Sequence, residues 1–230
     1  MGVFFSPTET FADIARRPDF LWPLVLIVGL AYVTTFVMMP HMDFDAVFAK
    51  SAEQMKKQNP NMSDADMERV ARISKATMKV GQFVGPAIGI MWYALAALLL
   101  WGGVRMMGGD GTFPQAFSTT LYAWLPMVIF SIILAVIVVA RGSVDPTEMA
   151  TVVKSSPAFL VDIKEHPVLA SFLSSFDVFT IWTIVLLIIG FTALSRLSKG
   201  KVAGIVIAMW ALSIFIKIGF AALGAMRMKG

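Results

Sequence analysis

Five long apolar stretches alternate with polar segments along this chain of 230 residues. The hydrocarbon core of a bilayer is about 30 Å thick, and a helix needs about 20 consecutive apolar residues to cross it. A soluble core would interrupt such runs with polar faces. We therefore predict an all-α polytopic membrane protein whose single domain covers residues 1–230. The predicted spans are residues 20–39, 80–107, 121–140, 176–194 and 202–226.

The polar segments between the spans predict helical structure outside the membrane. Residues 40–79 carry apolar side chains at helical spacing, which indicates a helical hairpin whose second arm continues into span two. Prolines divide residues 141–175 into short pieces. Residues 108–120 contain Gly-Gly-Asp-Gly but lack the Gly-Lys-Ser/Thr ending of a phosphate-binding loop, so we interpret them as a tight turn.

An amphipathic helix is predicted at residues 4–17, ahead of the first span. Pro7 suits the first helical position. The apolar side contains Phe4, Phe11 and Ile14, and two arginines near the end suit lipid phosphates. The pattern predicts a helix lying on the membrane surface. The alternative is an ordered segment that packs on the helical bundle.

Composition supports a membrane protein. Hydrophobic residues make up 57% and mean hydropathy is +0.76, whereas soluble domains contain about 45–50% apolar residues. A net charge of +4 would suggest a nucleic-acid partner for a soluble protein. Here the basic residues lie in loops and at span ends, where topology and anionic lipids explain them. We expect membrane lipids as partners, and no nucleic acid.

No pattern typical of catalysis, cofactor binding or metal binding is found. The chain contains no cysteine, which excludes disulfides, thiolate nucleophiles and cysteine-based metal sites. The two histidines, His41 and His166, lie in separate polar segments, each beside a proline. We therefore predict that the protein is not an enzyme and has no cofactor.

Two features of the spans are candidates for function. Gly81, Gly85 and Gly89 form a ridge of small residues that allows another helix to approach closely. Lys217 lies inside predicted span five, near its centre, where a charge costs about 2.5–3.5 kcal/mol on insertion scales. In an antiparallel hairpin of spans four and five, Asp177 lies about one turn from Lys217, so we hypothesise an ion pair.

Two alternatives to this ion pair remain. In one, Lys217 extends to the membrane interface and Asp177 simply caps span four. In the other, the two side chains belong to a polar transport path.

Charge alone leaves the orientation open. A count of all Lys and Arg residues favours a cytoplasmic C-terminus because residues 40–79 contain many cations. Those cations are accompanied by acids, and the positive-inside rule is most reliable for short loops. The link at residues 195–201 carries three cations and no acid, which favours a cytoplasmic N-terminus.

Short motifs occur in order along most of the chain. They are Ser6-Pro7-Thr8-Glu9-Thr10-Phe11, Gly108-Gly109, Tyr122-Ala123-Trp124-Leu125-Pro126, Asp177-Val178-Phe179-Thr180-Ile181-Trp182 and Ser198-Lys199-Gly200-Lys201. Together they resemble the Yip family of five-span membrane proteins, in particular its short bacterial members. The resemblance implies five helices and a cytoplasmic N-terminus, and hence a multi-pass protein of the bacterial inner membrane.

Binding of small GTPases, for which the family is named, is not carried over. Eukaryotic members present a long N-terminal region with an Asp-Leu-Tyr-Gly-Pro motif, which this chain lacks. The leading hypothesis is a non-enzymatic membrane scaffold or adaptor, linked to membrane organisation or trafficking. Its partners would be lipids and other membrane proteins or a second copy. The alternative is a transporter, channel or lipid-moving protein with helices bent at Pro86 and Pro126.

Overall fold

The computed structural model describes residues 2–59, 61, 63–146, 149–163 and 165–229. These residues form helices and no β-strand. Five helical segments in this part of the chain are long and apolar enough to cross a membrane, which confirms the predicted all-α, five-span fold. The α-helices are α1 Gly2–Phe5, α2 Pro7–Arg16, α3 Leu21–Met38, α4 Phe44–Gln58, α5 Asp64–Met106, α6 Phe113–Ala123, α7 Leu125–Arg141, α8 Met149–Val152, α9 Pro167–Leu173, α10 Val178–Ser195 and α11 Lys199–Lys229.

The connecting segments meet at two opposite ends of the bundle. At one end, the Asp110 backbone N–H donates to the Ser195 carbonyl over 2.9 Å, so the α5–α6 loop lies beside the α10–α11 link. At the other end, the Asp43 N–H donates to the Val144 carbonyl over 3.0 Å. The two polar segments, which follow α3 and α7, are therefore in contact with each other.

Helix α5 is much longer than a bilayer is thick. Its 43 residues correspond to about 64 Å at 1.5 Å per residue, about twice the hydrocarbon thickness. Helix α4 folds back on the first part of α5, where Lys75 Nζ lies 3.0 Å from Asp45 Oδ1 and 5.9 Å from the Phe48 ring centroid. This hairpin, which runs directly into span two, has the arrangement predicted from the sequence.

Pro86 lies inside α5 without ending the helix. A proline cannot donate a backbone hydrogen bond and disturbs the preceding turn. The Tyr32 hydroxyl of α3 donates to the Phe83 carbonyl in that turn over 2.7 Å. A side chain from a neighbouring helix thus supplies a hydrogen bond beside the proline, as is common in membrane helices.

The third span begins earlier than predicted. Helix α6 starts at Phe113, inside the segment 108–120 that we interpreted as a turn. The Gln115 side chain accepts a hydrogen bond of 2.8 Å from the Thr112 backbone N–H, which stabilises the helix start. The turn interpretation is therefore wrong beyond Thr112. The helix is interrupted at Trp124, two residues before Pro126.

The N-terminal helix α2 belongs to the protein core. Phe11 is completely buried and Ile14 is nearly so, within a cluster that includes Phe191 of α10. The Gln115 side chain of α6 donates to the Ala15 carbonyl over 2.6 Å. The prediction that this apolar side faces lipid is wrong, and the alternative of packing on the bundle is confirmed.

Candidate functional site

The glycine ridge of α5 lies on a face that the rest of the described chain leaves open. A Cβ atom at Gly81, Gly85 or Gly89 would meet no atom within 4 Å. The close helix–helix approach predicted for these glycines is therefore not made within the described chain. Exposed apolar side chains, including Val84 and Ile88, lie on the same stretch of α5. The ridge and its neighbours form an uncovered surface at membrane depth.

Asp177 caps the start of α10. Its Oδ1 accepts hydrogen bonds from the backbone N–H groups of Phe179, over 2.8 Å, and Thr180, over 3.2 Å. The Ser155 hydroxyl donates to the other carboxylate oxygen. The Asp177 side chain thereby ties the segment before α9 to the start of span four, and its predicted capping role is confirmed.

Lys217 extends from α11 to the same end of the bundle. Its ammonium donates a hydrogen bond of 2.6 Å to the Ser174 hydroxyl, in the turn between α9 and α10. The carboxylate of Asp177 interacts with this ammonium electrostatically, but Ser174 is the group in direct contact. Energetic coupling between Asp177 and Lys217 remains a prediction.

The position of Lys217 differs from the one predicted. Helix α10 has 18 residues, about 27 Å, so it is about as long as the hydrocarbon core is thick. Asp177, at its start, therefore lies near one membrane boundary, and Ser174 lies just beyond Asp177 in the chain. Because Lys217 contacts Ser174, we place its ammonium at this boundary and not at mid-membrane.

A cleft of about 460 Å³ lies between α5, α10, α11 and the α6–α7 junction. Its lining is mostly apolar and includes Ala96, Trp124, Leu187 and Trp210. Two further lining residues are Thr180, one turn from Asp177, and Ile216, next to Lys217. The Asp177–Ser174–Lys217 cluster therefore lies at one end of an apolar cleft.

Thr183 lines the cleft, but its hydroxyl is turned away from the open volume. Thr183 is 4% exposed, and its Oγ1 is completely buried and finds no hydrogen-bond partner within the described residues, as is also the case for Ser118, Thr119 and Thr120 of α6. Ser213, which also lines the cleft, donates to the Trp210 carbonyl over 2.6 Å. The cleft therefore offers an apolar volume with a cation just beyond one end, an arrangement suited to an amphiphile.

Sequence reasoning identified Asp177 and Lys217 but missed the cleft. A cleft depends on how several helices pack, which a single sequence does not reveal. The available signal was the row of hydroxyl residues Thr180, Thr183 and Ser213 inside otherwise apolar spans. Among the described residues there is no group of three or more His, Asp or Glu side chains placed to hold a metal ion.

Comparison with known proteins identifies a family and a relative. The model of the Yip1 domain family matches residues 1–220. The chain is similar to membrane protein YknW of Bacillus subtilis (strain 168), with 29% identity over 199 residues. The matched region covers 86% of this chain and 79% of the relative. No solved structure matches the chain.

Proposed function

This chain belongs to the Yip1 domain family, as its motifs indicated, and from that premise we propose that it is a non-enzymatic membrane scaffold or adaptor. It would hold another membrane protein, or a second copy of itself, by helix–helix contacts inside the bilayer. We further propose that it lies in the bacterial inner membrane with a cytoplasmic N-terminus.

The uncovered ridge Gly81–Gly85–Gly89 carries this proposal. Inside a bilayer, helices associate by close van der Waals packing, which small residues permit because the backbones can approach. The open space at all three glycines leaves this surface available to a helix from another molecule. The apolar side chains beside the ridge enlarge the surface that such a helix can cover.

The α4–α5 hairpin gives the scaffold a second contact surface outside the bilayer. Residues 64–79 of α5 precede the predicted span and extend about 24 Å along the helix axis. Helix α4 packs beside them through the Lys75–Asp45 ion pair. With the proposed orientation, the hairpin lies on the non-cytoplasmic side, where it can bind an extracytoplasmic part of the same partner.

Photocrosslinking in cells tests the adaptor proposal. A photoreactive amino acid at Ile88, beside the ridge, should form an adduct with one defined protein in near-stoichiometric yield. Gly85→Leu should abolish this adduct, because its side chain would block the approach. Gly219→Leu on α11, where a Cβ atom also meets nothing within 4 Å, is the matched control and should leave the adduct intact. Adducts with lipid alone would contradict the proposal.

A lipid-moving protein is the second candidate, and the apolar cleft favours it. Such a protein should accelerate the exchange of labelled phospholipid between the leaflets of reconstituted vesicles. Exchange at the rate of protein-free vesicles would rule out this candidate and leave the adaptor proposal unaffected.

A further inference from the structure

We propose that the cleft between α5, α10, α11 and the α6–α7 junction binds one phospholipid molecule. An acyl chain occupies the cleft, and the lipid phosphate pairs with Lys217. This inference goes beyond the adaptor proposal and does not depend on it, because it rests on different helices and different residues.

The dimensions and lining of the cleft fit an acyl chain. Its volume of about 460 Å³ lies within the range of about 300–1,000 Å³ typical of small-molecule sites. Along α11 it extends from Val206 to Ile216, a distance of about 15 Å at 1.5 Å per residue. Exposed Trp92 and Leu95 form one edge, so the surrounding bilayer has lateral access to the cleft.

Lys217 supplies the charge complementarity for a phosphate. A lysine ammonium has three donors, and the hydrogen bond to Ser174 uses one of them. Lys217 does not line the cleft itself, but it follows the lining residues Ser213 and Ile216 along α11. We therefore place its ammonium just beyond the end of the cleft and near the membrane boundary, which is the depth of lipid headgroups. An anionic phosphate there can form charge-assisted hydrogen bonds with the remaining donors.

The Asp177 carboxylate does not compete strongly with a lipid phosphate for the Lys217 ammonium. Asp177 as a residue is 8% exposed, and both of its carboxylate oxygens already accept hydrogen bonds, from the start of α10 and from Ser155. The negative charge is thus directed into the protein. Lys154, another cation of this end, lies 5.9 Å from the Phe159 ring centroid.

Thr183 contributes to the apolar wall of the cleft. It is a lining residue, but its hydroxyl oxygen is completely buried and has no partner among the described residues, a condition that it shares with Ser118, Thr119 and Thr120 of α6. The hydroxyl is therefore turned away from the open volume, and the proposal rests on the apolar cleft and on Lys217.

Photolabelling with a defined lipid tests this site. The protein is reconstituted into phosphatidylcholine vesicles that contain a small fraction of phosphatidylglycerol with a photoactivatable acyl chain. We expect adducts on the lining residues of α10 and α11, in clear excess over Val25 and Val33, which are exposed on α3. Unlabelled phosphatidylglycerol should compete for these adducts.

Four variants separate the roles of charge and cleft. Lys217→Met should weaken binding about tenfold, a loss typical of one charge-assisted hydrogen bond, whereas Lys217→Arg should retain it. Lys201→Met removes an exposed cation near the opposite end of α11 and should leave labelling unchanged. Ala96→Phe should abolish labelling by filling the cleft while Lys217 stays in place. Helicity and thermal unfolding establish that each variant is folded.

Two outcomes would overturn the proposal. If the lining residues of the cleft and the exposed residues of α3 were labelled equally, the labelling would report contact with bulk lipid only. Equal labelling by a photoactivatable diacylglycerol, which has no phosphate, would exclude recognition by Lys217. If Lys217→Met fails to fold, the results with Ala96→Phe and with diacylglycerol still decide whether the cleft binds a phospholipid.

Discussion

The ring of Phe11 lies directly against Gly190. A Cβ atom at position 190 would come within 2.9 Å of Phe11 Cδ1 and within 2.5 Å of Thr119 Cγ2. Helix α10 therefore has no room for a side chain at the point where α2 and α6 pack against it. The absence of a side chain at Gly190 allows the N-terminal helix to join the core of the bundle.

Gly190→Ala should destabilise the fold although alanine is the better helix former. The added methyl group must displace Thr119 or the Phe11 ring, and overpacking costs about 1–3 kcal/mol. The matched control is Gly204→Ala on α11, where a Cβ atom meets nothing within 4 Å and helix propensity favours alanine by up to about 1 kcal/mol. Thermal unfolding in detergent measures both variants. Equal stability of the two would contradict this account of Gly190.

Phe11→Ala should release α2 from the bundle. Removing a fully buried phenylalanine costs about 3–5 kcal/mol in a packed core. Because the chain has no cysteine, Ile14→Cys provides a unique, buried reporter. Maleimide should label this cysteine slowly in the parent and rapidly after Phe11→Ala. Phe5→Ala is the control, since Phe5 is 83% exposed, and it should not change the labelling rate.

The spans could be predicted from the sequence, whereas the position of α2 could not. Apolar length alone identifies a span because a bilayer requires it. The apolar side of α2 suits lipid and protein equally, and only the neighbouring Gly190 distinguishes the two. The early start of α6 was predictable in principle, because Thr112, Pro114 and Gln115 form a recognisable helix-start pattern.

Asp177 and Lys217 show a different limit of prediction from the sequence. Counting residues around the α10–α11 link placed them close together, since both helices are regular. The count could not reveal that Ser174, in the preceding turn, would be the direct partner of Lys217. The depth of Lys217 that we infer from its contact with Ser174 differs from the predicted one, because α11 extends to Lys229 and the centre of the apolar run need not be the centre of the membrane.

Double-mutant cycles should distinguish the two partners of Lys217. Lys217→Met and Ser174→Ala should couple by about 1.5 kcal/mol, the lower end of the range for one hydrogen bond to a charged group. Lys217→Met and Asp177→Asn should couple more weakly, because the Asp177 carboxylate is held by α10 and Ser155. If Lys217 coupled more strongly to Asp177 than to Ser174, the result would support a direct Asp177–Lys217 ion pair.

Asp177→Ala should destabilise α10 by about 1–2 kcal/mol, since it removes the N-cap together with the hydrogen bond from Ser155. Asp177→Asn should cost less, because asparagine is an equally good N-cap. Unfolding in detergent compares the two variants directly. If asparagine is as harmful as alanine, the negative charge matters more than the cap, and the effect of Asp177 on Lys217 must be larger than the geometry indicates.

The proposed orientation can be decided with single cysteines in the natural cysteine-free chain. Asn61→Cys lies in the α4–α5 turn and Lys201→Cys at the start of α11, and both positions are exposed. An odd number of spans separates these two positions, since α5, α6–α7 and α10 lie between them. With a cytoplasmic N-terminus, an impermeant maleimide should label Asn61→Cys in intact spheroplasts and Lys201→Cys only in inside-out vesicles. The opposite pattern would reverse the orientation and place the α4–α5 hairpin in the cytoplasm, so that the partner proposed for it would have to be cytoplasmic.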